Sequence, residues 1–139
     1  MISVITDAEV PVSEFRQALR SVSQEYGVIV VDDAELFMGA EIDSDLALLA
    51  RGGAGTGWGV LAAGNAESLW LSLAGWMGQA KRNRTGLLLS PQGLSDGEVI
   101  GVKLTWGVVG QAPQPGRGLI HLGDGILRTV QVPYLQPDL

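Results

Sequence analysis

Runs of apolar residues alternate with helical spacing over the first two thirds of the chain, and the alternation gives way to short apolar segments between Gly and Pro. Ile2–Thr6 reads as a strand running into Asp7. Pro11 and Ser13 then signal a helix whose Phe15, Leu19, Val22 and Tyr26 recur at helical spacing until Gly27. Val28–Val31 is a run of four β-branched residues, the pattern of a strand apolar on both faces inside a parallel sheet, and it ends in Asp32 and Asp33. Leu46, Leu49 and Ala50 predict a second helix after Asp43. A Gly-rich turn from Gly52 to Gly59 leads to a strand at Val60–Ala63. Leu69, Leu73, Trp76, Met77 and Ala80 predict a third helix, closed by Lys81, Arg82 and Arg84 at its negative dipole end, with a strand at Leu87–Leu89 behind it. Beyond Pro91 short strands are expected at Val99–Leu104, Leu119–Leu122 and Ile126–Val132.

Strand and helix in alternation predict an α/β domain with a mainly parallel sheet flanked by helices and a β-rich C-terminal end: one domain over residues 1–139, with an α/β core over 1–91 and an irregular β-rich end over 92–139. A chain of 139 residues that is 46% hydrophobic, with mean hydropathy +0.24, has material for one core. Cysteine is absent and His121 is the single histidine, which removes disulfides, thiolate metal sites and His-rich sites, and leaves no Ser-His-Asp order for hydrolase chemistry. The acidic group Glu41, Asp43 and Asp45 lacks calcium-loop spacing and reads as a solvated helix start. A net charge of −6 opposes broad phosphate-backbone binding, so nucleic acid is not the expected partner. Apolar stretches are interrupted well before membrane-spanning length, so direct membrane insertion is not expected, and the absence of cysteine permits a cytoplasmic location.

An apolar strand delivering carboxylates to its carboxyl end has two readings. The acids cap the next element, or they lie at the ligand-binding end of an open α/β sheet. The second reading fits a Walker B strand. With Asp32-Asp33 placed, the chain resembles the later part of a FtsK/SpoIIIE-type RecA-like ATPase domain. The resemblance is closest to the often degenerate later domains of EccC-like type VII secretion proteins. It is carried by Val28–Leu36 (VIVVDDAEL), Val60–Leu69 (VLAAGNAESL), Trp76–Pro91 (WMGQAKRNRTGLLLSP) followed by Asp96-Gly97 and Gly101–Leu104, and Pro115–Gly118 (PGRG) leading to Val130–Pro133.

The resemblance implies a partial RecA-like P-loop NTPase fold in which Asp32 is the magnesium aspartate and Asp33 stands where active members carry a catalytic glutamate, one methylene longer. Active translocases follow the Val60–Ala63 strand with Thr-Gln, a γ-phosphate sensor. Here the chain has Ala63-Gly64 and then Asn65. Arg82 and Arg84 fall where the family places basic residues near nucleotide or a subunit boundary, although a helix-end cation needs no such role. Arg117 is a peripheral candidate of the same kind. The string Gly-x-x-x-x-Gly-Lys-Ser/Thr is absent, and Gly52–Gly59 has no lysine and runs from helix into strand, the reverse of a phosphate loop.

The resemblance therefore implies a binding or regulatory module that does not hydrolyse ATP alone. ATP and magnesium belong to a full-length parent and are not expected to bind this chain tightly. The alternative is a piece of an active DNA or protein translocase with its Walker A loop upstream. The implied partners are further ATPase domains of the same protein, a second copy, or a secreted protein's signal peptide, with tethering to a membrane secretion complex through the parent. Trp70 and Trp76, roughly 120° apart at about 100° per residue on one helix, are the partner-binding candidates, one of them expected near the surface. Because the strand feeding the phosphate loop is missing, Leu87–Leu89 is expected to pair with Val60–Ala63, or the molecule to dimerise through that edge.

Overall fold

In a computed structural model the described residues are 7–22, 26–52, 55 and 57–133; the expected Ile2–Thr6 strand lies outside them. The chain divides into two compact units, Met1–Ala80 and Lys81–Leu139. It is a mixed α/β protein, with one parallel and one antiparallel sheet among the described residues.

The first unit begins with α1 (Val12–Ser21), whose opening turn is set by Pro11 at φ −62°, and whose buried residue is Phe15. α1 stops at Ser21, so Tyr26, expected on its apolar stripe, stands outside it and is exposed. β1 (Gly27–Val31) pairs in parallel with β2 (Trp58–Ala62), Gly27 opposite Trp58 and Val31 opposite Ala62. A side chain at residue 27 would run into the Trp58 ring, its Cβ falling 2.3 Å from Cζ3, which is a reason for glycine where the strand begins. Between the strands lie a 3-10 helix (Ala34–Phe37) and α2 (Asp43–Gly52), and α2 packs on β2.

Two sequence expectations change here. β1 is not buried on both faces: Val28 and Val30 are each 66% exposed and Leu61, opposite Val30, is 59% exposed, so one face of this two-stranded sheet is open while α2 packs on β2. The expected third helix is two, α3 (Ala66–Leu69) and α4 (Gly75–Lys81). α3 starts where the Asn65 side chain accepts the Glu67 amide, and α4 starts at Gly75 with φ +64°. A Cβ at Gly75 would fall 2.7 Å from the Asp43 carboxylate, so chain direction and space both require glycine there.

In the second unit β3 (Thr85–Leu89), β4 (Arg117–Leu122) and β5 (Leu127–Gln131) form an antiparallel sheet in the order β3-β4-β5. The sheet expected to be mainly parallel is therefore parallel in only two described strands. Leu87–Leu89 pairs with β4, Leu87 opposite Ile120, and not with Val60–Ala63. The strand expected at Val99–Leu104 is instead the tail of a second 3-10 helix (Leu94–Ile100) and an irregular segment. The Asp96 carboxylate caps that helix by accepting the Gln92 and Gly93 amides at 2.8 and 3.1 Å, and Gly101, at φ +71°, ends it. Leu88, Ile100, Leu104 and Val109 form the core of this unit, with Leu119 and Leu127 packed on it. No described helix is long and apolar enough to cross a membrane.

Candidate functional site at the carboxyl end of the parallel strands

The parallel pair holds together past its formal ends. The Ala63 amide donates to Val31 O and the Ala34 amide to Ala63 O, both at 2.8 Å, so the chain leaving β1 and the chain leaving β2 remain side by side. Asp32 and Asp33 sit at that end, both exposed. Asp33 takes a left-handed conformation, φ 48° and ψ 50°, and its amide donates to Asp32 Oδ1 at 3.1 Å. That conformation costs a non-glycine residue on the order of 1 kcal/mol, and Asp and Asn adopt it more readily than most. The Asp33 side chain does not cap the 3-10 helix that follows.

Glu35, one turn on, extends the acidic end. Both its carboxylate oxygens lie 3.4 Å from the Asn65 amide, across the gap to the chain leaving β2. Gly64 makes room for this contact, since a Cβ there would sit 2.2 Å from Glu35 Oε2. Asn65 in turn caps α3. Asp32, Asp33 and Asn65, singled out from sequence, thus share one end of the sheet, while Glu35 was missed. Its partner is thirty positions away along the chain, and only Gly64 next to Asn65 marked a close approach.

Arg82, Arg84 and Arg117 belong to the second unit and are exposed. Arg84 has φ 49° and its aliphatic stem lies over Gly101. Arg117 Nη1 donates to Gln114 Oε1 at 2.9 Å, beside a cleft of about 280 Å³ whose walls include Ser90, Val108, Gln111 and Leu119. Lys81 has its ammonium pushed below the usual lysine range by burial, with Glu98 acting in the opposite sense.

Trp70 is half-buried at the end of α3. Trp76 is fully buried, its indole N–H donating to Phe37 O at 3.1 Å and its amide to Asp43 Oδ1 at 3.2 Å. It is a core residue and not a partner-binding surface. Asp43, expected on a solvated helix start, is instead half-buried and also accepts the Gly39 amide through Oδ2 at 3.0 Å. Asp45, the second acid of that group, pairs with Arg16 of α1 at 3.1 Å.

The acidic end does not form a metal cage. Among the described residues no group of three or more His, Cys, Asp or Glu side chains converges on one point. Magnesium at a nucleotide site is held by one or two carboxylates and by the phosphates themselves. Carboxylate oxygens suit the ion, but the phosphates would find no Gly-Lys-Ser/Thr loop in this chain, and α2 ends at Gly52 before β2 begins at Trp58, the wrong polarity for one. The residues present therefore do not fit tight binding of magnesium nucleotide. No family model, curated protein or solved structure matches the chain.

Proposed function

We propose that the chain is a degenerate RecA-like domain of the FtsK/SpoIIIE type, of the type VII secretion branch, working as a binding or regulatory module without ATP hydrolysis of its own. One observation carries the reading: a parallel strand pair ends in the exposed acids Asp32 and Asp33, as a Walker B strand does, in a chain that has no phosphate-binding string. Asp33 has a carboxylate one methylene shorter than the glutamate that active members carry at that position. Asn65 Oδ1 accepts the Glu67 amide as the cap of α3, a helix-start role for the residue that follows Ala63-Gly64 where active members carry Thr-Gln. Further ATPase domains of the same protein, a second copy of the chain, or the signal peptide of a secreted protein are the partners this reading supplies.

The test is calorimetric and kinetic. Titration of the chain with ATP and magnesium gives no saturable heat, and Asp32→Ala leaves that result unchanged. Magnesium-dependent turnover by the chain that disappears in Asp32→Ala would overturn the proposal and favour an active translocase fragment.

A further inference from the structure

His121 is 2% exposed, the buried polar residue of the described core, and it lies on β4 between Gly86 of β3 and Leu127 of β5. Gly86 leaves space on that side: a Cβ there would strike Ile100 Cγ2 at 2.4 Å. Both ring nitrogens are used. Nδ1 lies 3.0 Å from Ile100 O, and the Gly125 amide donates to Nε2 at 2.9 Å. A carbonyl can only accept and a backbone amide can only donate, so the partners dictate the tautomer. The proton is on Nδ1, Nε2 offers its lone pair, and the ring is neutral.

A second proton at Nε2 would meet the Gly125 N–H head-on. The charged ring would then lack one hydrogen bond inside a core, where burial already penalises charge. The turn has little freedom to adapt. Gly123 and Gly125 hold φ of +78° and +80°, and Asp124 between them is engaged by the Ile126 amide and by Arg128. The charged residues on the surrounding elements are Lys81, Arg82 and Arg84 ahead of β3, Asp96 and Glu98 on the 3-10 helix, Lys103 after it, and Asp124 and Arg128 of the hairpin. Asp96 is committed to Gln92 and Gly93, and Asp124 to Arg128, while both partners of the ring are backbone groups.

We propose that His121 is an acid-sensitive latch: neutral, it ties the β4–β5 turn to the end of the 3-10 helix, and on protonation it releases the hairpin. The sign follows from linkage. Nε2, the ring nitrogen that would take the proton, is occupied by the Gly125 amide, so proton uptake accompanies opening and acid favours the open hairpin. The inference stands apart from the ATPase-like reading.

The single histidine makes the test direct. Long-range proton–nitrogen spectra of the labelled full chain show one imidazole in the Nδ1–H form at neutral pH. Amide exchange in residues 118–131, corrected for its intrinsic pH dependence, speeds up between neutral pH and about pH 5, the range in which histidine charges. In His121→Gln the acid dependence of that segment is lost. A charged ring or the Nε2–H form at neutral pH, a ring that titrates while residues 118–131 keep their protection, or acid dependence surviving in His121→Gln would each overturn the proposal. Should His121→Gln fail to fold, the joint titration of ring and amides in the unmodified chain decides.

Discussion

The two units fasten their loops and returning segments with different chemistry. In the first, carboxylates do the joining: Asp43 receives the amides of Gly39 and Trp76, Glu35 reaches Asn65, and Asp45 ties α2 to α1 through Arg16. In the second, Asp96 caps only its own helix, and the longer-range side-chain bridge is one neutral imidazole; both units use glycines for close approach. Gly86 and Gly97 admit Ile100 and Val102, and His121 bridges Ile100 and Gly125. A parallel pair has its connections at opposite ends and needs side chains to fasten the loops that return across it. An antiparallel meander brings its turns together by hairpin geometry and needs space for backbone to approach backbone. A deletion at a first-unit bridge and an insertion at a second-unit backbone approach should each damage its own unit most.

The largest effect is expected from Trp76→Ala, which removes a wholly buried ring and orphans Phe37 O, while the backbone amide of residue 76 still donates to Asp43. The loss should be about 3–5 kcal/mol in urea unfolding followed by circular dichroism, with amide protection falling most in β1 and β2. Gly97→Ala is the matching insertion in the second unit. Its Cβ would lie 2.4 Å from Val102 O, a backbone atom, so about 1–3 kcal/mol should be lost, with protection falling most in β3–β5. Equal damage to both units from either change would break the contrast.

The smallest effect concerns the exposed hairpin tip. Hydrogen bonding to Arg128 first, and to the Ile126 amide second, holds the Asp124 carboxyl at about 2, below its ordinary 3.8. A depressed carboxyl contributes stability that is fully present above its unfolded value and is lost as pH falls from about 3.8 towards about 2. Asp124→Asn should abolish that acid-side slope, and molar salt should flatten it, in carboxyl-detected titrations of the hairpin. The direction and the pH range separate this event from the histidine one.

What could be read from the sequence was local. Val28–Val31 with its two acids, the helix after Asp43, and the strands at β4 and β5 each carry their own period and their own stop signals, and they stand where those signals put them. Strand direction carries no local signal. Leu87–Leu89 looks the same whether it continues a parallel sheet or turns back against β4, and that pairing is decided by residues some thirty positions later. The helix through Leu69 and Ala80 was read as continuous because its apolar spacing is unbroken; the left-handed Gly75 interrupts it, and with the break goes the azimuth argument that set Trp70 against Trp76. At the acidic end Asp32, Asp33 and Asn65 were legible as strand-end residues. Glu35 and the bridging role of Asp43 were not, because each depends on a partner about thirty residues away.

The distribution of indoles has a practical consequence. Of the four tryptophans, Trp58, Trp70 and Trp76 belong to the first unit, and Trp106, 78% exposed, belongs to the second. A ring already surrounded by water changes its emission little on melting, so intrinsic fluorescence will report the loss of one half of this molecule and stay nearly silent about the other. A single smooth optical transition would then describe only the half that carries the acids.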